Sequence, residues 1–207
     1  MSLDNTGHVQ DNSPSHSAMI ARFYVLPQLT GSGDADIFVA YSNEAPSGVL
    51  FDISFDGTNF NFDAGGAGGA SASAAAVTGW NLIEVKFNSG GNFEYWVNVD
   101  ATTDPATGSF SSGSGTIEAV RMGLPNGLGG FSGGKVSYDS YESHASTPVG
   151  SLLIGDANAD ETVNVLDYSS VQQDILGNLQ SGQPDCNLDG SVNVLDYGCV
   201  QSVILGG

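Results

Sequence analysis

Positive charge is almost missing from this chain. Arg22, Lys86, Arg121 and Lys135 stand against 23 acidic residues, which leaves a net charge of -19 over 207 residues. Such a field repels polyphosphates and anionic lipid, and it excludes nucleic acid and anionic membrane surfaces as partners. Cysteine is scarce as well, with only Cys186 and Cys199. No apolar run approaches the roughly 20 residues that span a bilayer as a helix, so membrane insertion is not expected. The first ten residues contain neither a basic n-region nor an apolar h-region, so no signal peptide is read there. Met1 to Leu3 reads as a cloning scar, residues 1–16 as a leading segment, and the chain as a fragment of something longer. What is present is a 40% share of hydrophobic residues, enough to bury the core of one or two domains.

The most informative stretch lies near the C-terminus. Asp156-Ala-Asn-Ala-Asp-Glu-Thr-Val-Asn-Val-Leu-Asp167 recurs 29 residues later as Asp185-Cys-Asn-Leu-Asp-Gly-Ser-Val-Asn-Val-Leu-Asp196. Oxygen-bearing side chains fall at positions 1, 3, 5, 9 and 12 of each copy, the spacing with which an EF-hand loop wraps calcium. In the first copy they are Asp156, Asn158, Asp160, Asn164 and Asp167; in the second, Asp185, Asn187, Asp189, Asn193 and Asp196. Position 7 contributes a backbone carbonyl, from Thr162 and Ser191. A solvated acidic loop would explain one such run, but two in register point to two calcium ions. All four bases precede residue 140, so these carboxylates repel one another until metal arrives, and folding is expected to depend on it.

Each loop feeds a helix. Tyr168, Val171, Ile175 and Leu176, matched by Tyr197, Val200, Ile204 and Leu205, share one helical face and read as core. Val163 and Val192 read as the residues that join the paired loops. Upstream of each loop Gly and Pro interrupt any comparable entry helix. A tandem of calcium loop plus single helix, with Asp at position 12, resembles the type I dockerin domain over residues 151–207. The resemblance implies a partner, a cohesin domain on another protein, contacted through Val165, Leu166, Gln172 and Gln173 in copy one and Val194, Leu195, Gln201 and Ser202 in copy two. Since the copies offer nearly the same residues, either is expected to face the partner.

Copy one departs from the loop pattern at position 6, where Glu161 replaces the Gly190 of copy two, and loop one is expected to be the weaker site. Cys186 and Cys199 both fall in copy two. A disulfide stapling the loop to its own helix is the favoured reading for so small a domain, with two unrelated free thiols the alternative.

From residue 17 to about 142 the chain reads as short strands: Met19–Val25, Ile37–Tyr41, Val49–Phe55, Leu82–Phe87, Phe93–Val99, Ile117–Met122 and Val136–Tyr141, separated by Gly-, Asn- and Pro-rich turns. That pattern implies antiparallel sheets built from hairpins and packed as a sandwich. The low-complexity tract Gly65–Ala76 reads as a loop. The succession Gly79-Trp-Asn-Leu-Ile-Glu-Val-Lys-Phe, Phe93-Glu-Tyr-Trp-Val-Asn, Ile117-Glu-Ala-Val-Arg-Met-Gly and Val136-Ser-Tyr-Asp resembles a laminin G or concanavalin-like jelly roll. The resemblance implies a carbohydrate-binding or adhesion module, or a glycosidase. Residues 143–150 read as a linker.

Catalysis finds no support. A retaining glycosidase on such a sandwich needs paired carboxylates facing a cleft, whereas Glu84, Glu94 and Glu118 stand singly at outward strand positions and read as a solvated face. No metalloprotease or nucleophile-elbow motif occurs in a suitable context. Trp96, out of phase with Phe93, Tyr95 and Val97, is the candidate for stacking on a sugar, against the commoner reading of a sandwich aromatic as core. Together these readings describe an extracellular or cell-surface fragment that is not an enzyme: a jelly roll, with polysaccharide as its expected ligand, followed by a calcium-dependent dockerin. The alternatives are part of a carbohydrate-active enzyme, or a calcium-stabilised surface or adhesion protein without a cohesin partner.

Overall fold

The structure is a computed structural model. It describes residues 2–4 (backbone only), 7–12, 15–43, 48–64, 70–146, 149, 155–158, 162–178, 184–187 and 191–205. The chain divides into two compact units, Met1–Gly150 and Ser151–Gly207.

The first unit is an antiparallel jelly-roll sandwich. Its strands are β1 (Ser2–Asp4), β2 (His8–Asp11), β3 (Ala18–Thr30), β4 (Ala35–Tyr41), β5 (Val49–Phe55), β6 (Asn59–Asp63), β7 (Ser71–Ala75), β8 (Asn81–Asn88), β9 (Asn92–Val97), β10 (Gly108–Ser111), β11 (Ala119–Gly123) and β12 (Gly133–His144). One sheet runs β1-β12-β3-β8-β9-β10 and the other β2-β11-β4-β5-β6-β7. Strand alternation fills the space between them. Phe23 and Val25 of β3, Ile83, Val85 and Phe87 of β8, and Phe60 and Phe62 of β6 point inward and are buried in one core. Its centre is a run of rings: Phe23 lies 5.3 Å from Phe38, Phe38 5.9 Å from Phe51, and Phe51 5.0 Å from Phe93. The buried Tyr138 hydroxyl shares its one proton between the Ile37 carbonyl at 2.8 Å and the Gly123 carbonyl at 3.1 Å, which ties β12 to the opposite sheet. Burial pushes that phenol's pKa far up, so it stays a donor at any ordinary pH.

Several boundaries differ from the sequence reading. Residues 1–16 are not outside the fold, because β1 pairs with β12 and β2 with β11, each at a sheet edge. Their short polar sequences carry little apolar alternation; backbone pairing places them, and in β2 the Arg121 guanidinium also donates to Gln10. Ser71–Ala75, expected to be loop, is strand β7: Ala72 and Ala74 pack against the core while Ser71, Ser73 and Ala75 are exposed. Residues 65–69 of that tract lie outside the described residues. Ser143 and His144, assigned to a linker, continue β12 and pair with Ala21 and Ile20.

The second unit contains two helices, α1 (Asp167–Ile175) and α2 (Val194–Ile204). Ala157, Val171, Cys186 and Val200 form its small core, with Val163, Tyr168, Val192, Tyr197, Cys199 and Val203 packed around them. Tyr168 and Tyr197 stack at 5.8 Å between centroids, relating the two copies ring to ring.

Candidate functional site

The two repeated loops adopt the same local geometry. In copy one Asp167 begins α1 and receives the backbone N–H of Asn158 at 3.2 Å and of Asn164 at 2.7 Å. In copy two Asp196 receives Asn187 at 3.2 Å and Asn193 at 2.8 Å. Each loop is thus folded back onto its twelfth residue. The ninth residue orders the approach to the following helix: Asn164 Oδ1 accepts from the Leu166 N–H in the turn before α1, and Asn193 Oδ1 from the Leu195 N–H, both at 2.9 Å, but only Asn193 is the N-cap of its helix. In copy two Asn193 and Asp196 form a reciprocal capping box. The amides of Asn164 and Asn193 also donate to the carbonyls of Thr162 and Ser191, the two position-7 groups.

The donor set fits a hard cation. Asp167 and Asp196 are 0% exposed, and Asp156 and Asp185 are nearly as buried. No Lys or Arg follows Lys135 in the sequence, so no side-chain cation of this unit offsets these carboxylates. Buried carboxylates of one sign need a counter-charge, and backbone N–H groups supply only part of it. Asp160 and Asp189, read as the fifth-position ligands, lie outside the described residues, as do Glu161 and Gly190. Among the described residues no group of three or more acidic, His or Cys side chains converges.

Cys186 and Cys199 are joined, with sulfurs 2.08 Å apart, so loop two is stapled to its own helix. The corresponding positions of copy one, Ala157 and Ser170, are buried without a bond.

Beside the loops lies an apolar surface. Val165 and Leu166 are 67% and 60% exposed, Val194 and Leu195 72% and 64%. Gln172, Gln173, Gln201 and Ser202 are exposed as well. The helical stripe read as core is divided: Val171 and Val200 are fully buried, but Ile175, Leu176, Ile204 and Leu205 are exposed. The small core lies against the middle of each helix, with Val203 the one last-turn residue packed on it among those described. Leu176 and Leu205 thereby fall on the same helical faces as the Val-Leu pairs and the polar positions between them.

In the sandwich, Trp96 is a correction. It is 7% exposed, and its indole N–H donates to the Asp104 carbonyl at 3.1 Å, so the segment after β9 folds over it and no stacking platform remains. The glutamates are structural. Glu84, expected on a solvated face, is 1% exposed and accepts the Val149 N–H at 2.9 Å. Glu94 pairs with Lys86 at 2.8 Å, and Glu118 accepts from the Ser15 hydroxyl. A group of aspartates escaped the sequence reading. Asp34, Asp36, Asp52 and Asp63 line a cavity of about 450 Å³ on the outer face of β4–β7. The alternation in Asn59-Phe-Asn-Phe-Asp63 was the available signal, because it sends every polar residue of β6 to that face.

Residues 154–205 match the family model described as Dockerin type I domain. No curated protein matches the sequence. Among solved structures, the chain superposes on the binding domain of botulinum neurotoxin serotype D/C VPI 5993 with a TM-score of 0.52 and 11% identity, covering 82% of this chain and 43% of that one. The ligand binding domain of botulinum neurotoxin serotype D in complex with N-acetylneuraminic acid gives 0.52 and 8%, covering 83% and 42%. Alginate lyase from Alteromonas sp.272 gives 0.45 and 10%, covering 62% and 72%. This chain therefore spans less than half of the neurotoxin binding domains it matches, and at these identities the likeness shows the sandwich fold alone.

Proposed function

We propose that this is a secreted modular protein whose C-terminal unit binds two calcium ions and docks onto a cohesin domain, anchoring a non-catalytic, carbohydrate-binding sandwich. The observation that carries the reading is the pairing, within the segment that matches the dockerin family, of two buried aspartate loops with exposed Val-Leu pairs beside them. Calcium would supply the positive charge that the buried carboxylates lack. Asp156, Asn158, Asp160, the Thr162 carbonyl, Asn164 and Asp167 would hold one ion, and Asp185, Asn187, Asp189, the Ser191 carbonyl, Asn193 and Asp196 the other. Asn164 and Asn193 also bond the backbone of the apolar pairs, at Leu166 and Leu195, so loop order and docking surface are mechanically joined. A non-catalytic sandwich is supported by Glu84, Glu94 and Glu118, each held in a structural contact. No helix among the described residues is long and apolar enough to cross a membrane.

The test is capture of the calcium-loaded chain on a panel of immobilised type I cohesin domains, repeated in excess chelator. Capture by at least one cohesin, abolished by chelation, is the expected result. A folded, calcium-loaded chain that no cohesin retains would favour a calcium-stabilised surface protein instead.

A further inference from the structure

The outer face of β4–β7 is a grid of polar side chains. Asp36, Ser54, Asn61 and Ser73 are aligned across the four strands in one row, and Asp52, Asp63 and Ser71 across three strands in the next. Neighbouring strands lie about 4.8 Å apart, so Asp52 and Asp63, directly opposite, bring like charges close together. Asp34 enters at the rim. Its N–H donates to the Gly129 carbonyl at 2.8 Å, and a Cβ on Gly129 would lie 1.7 Å from the Asp34 carbonyl oxygen, so only glycine allows this approach.

Among the described residues no ion pair reaches these carboxylates. Arg121 lies over the Tyr41 ring at 5.2 Å and donates to Gln10, while Arg22 and Lys86 pair with Glu142 and Glu94. Asp36 is met by the Asn126 amide, a neutral donor. Within the cavity Ser54 is 5% exposed, and among the described residues its hydroxyl has no hydrogen-bond partner. A hydroxyl on a nearly buried residue, turned into a cavity of ligand size and without a protein partner, is placed to bond a ligand's polar group.

We propose that this cavity binds an ammonium-bearing ligand, with Asp36, Asp52 and Asp63 receiving the cationic groups and Ser54 a hydroxyl or amine. The inference rests on the reading of the sandwich as a ligand-binding module. A shared metal ion is disfavoured, because among the described residues no three of these carboxylates converge on one point. Anionic sugars are excluded by charge. Asp52 supports the assignment: burial, then Asp36, Asp63 and Asp34, raise its pKa to about 7, so an arriving cation displaces a proton near neutrality. Amino sugars and polyamines share this chemistry.

The experiment is calorimetric titration of the full chain, calcium-loaded, with a β-1,4-linked glucosamine hexamer, its N-acetylated counterpart, cellohexaose and spermine. Binding of the glucosamine hexamer or of spermine, with proton release at pH 7 and at least tenfold weakening in Asp52→Asn/Asp63→Asn, is expected. Which of the two binds more tightly tells sugar from polyamine. Equal binding by the variant would place the cation elsewhere on this acidic chain and overturn the site. Preference for the N-acetylated hexamer or cellohexaose would overturn the ammonium assignment while leaving the carbohydrate reading intact. Binding of none of the four would defeat both. Removing two facing charges relieves repulsion, so the variant is expected to fold.

Discussion

Cys186, bonded to Cys199 within copy two, packs against Gly155 at the entrance of copy one, where an added Cβ would stand 3.5 Å from its sulfur. One staple thus supports both copies. Cross-links over loops of this size stabilise by about 3 kcal/mol in the chain-entropy account. Reduction is expected to lower the calcium-loaded melting temperature of the C-terminal unit. At limiting calcium the reduced chain should lose far-ultraviolet helical signal while the oxidised chain keeps it. Identical calcium midpoints with and without reductant would show that the staple has no part in loop order.

Chelation is the second prediction. Asp167 and Asp196 are wholly buried at the starts of α1 and α2, so withdrawing a counter-charge leaves them repelling Asp156 and Asp185. Helical signal is expected to collapse in excess chelator. The sandwich should persist, which tryptophan fluorescence reports alone because Trp80 and Trp96 both precede residue 150. If Glu161 weakens loop one, titration shows two unequal steps, and Glu161→Gly brings them together.

Asp52 sets a pH dependence in the sandwich. Its folded pKa, about 7, lies above the ordinary 3.8, so between these values the folded chain holds a proton that the unfolded chain has lost. Stability from this group therefore falls as pH rises from about 4 through 7, and the full cost is present above 7. Asp52→Asn is expected to leave stability at pH 4 nearly unchanged and raise it at pH 8 by roughly 2 kcal/mol, a value discounted because the carboxylate is partly exposed. Denaturation followed by tryptophan fluorescence at the two pH values checks this; an equal gain at both would refute the assignment.

Trp96→Ala is a packing mutation on this structure. Losing a nearly buried indole and its bond to the Asp104 carbonyl is expected to cost about 3–5 kcal/mol. A stability change well under 1 kcal/mol, with loss of glycan binding, would restore Trp96 as a ligand residue.

The legible parts of this protein were those in which local spacing carries the physics. The two twelve-residue loops were legible as loops folded onto their twelfth residue, because that geometry follows from local spacing, and the alternation in β3, β5 and β8 announces a half-buried pleat. What stayed hidden depends on distant chain. Glu84 sits at an outward strand position, yet the Val149 backbone covers it. Trp96 is covered by residues that follow a turn. The edge strand β2 has only Val9 as an apolar residue, and pairing with β11 holds it. The facing of Asp52 and Asp63 needs the β5–β6 register, which neither strand specifies alone.

The docking surface yields the last prediction. Val165-Leu166 and Val194-Leu195 are similarly exposed, the first pair just before α1 and the second at the start of α2, and each has its leucine N–H bonded by the asparagine that precedes the pair. If both pairs serve as anchors, as proposed for the docking unit, either copy is expected to be presented to the partner. Changing one pair to Asp is expected to leave cohesin affinity within a few-fold, because the other pair takes over. Changing both should abolish binding, a loss of several kcal/mol, since an unpaired charge pressed into an apolar partner surface costs more than the original contact contributed. Calcium content and helical signal are measured in parallel, because Asn164, Asp167, Asn193 and Asp196 adjoin the substituted residues. A doubly substituted chain that stays folded, retains calcium and still binds cohesin would move the recognition surface to another face of the unit.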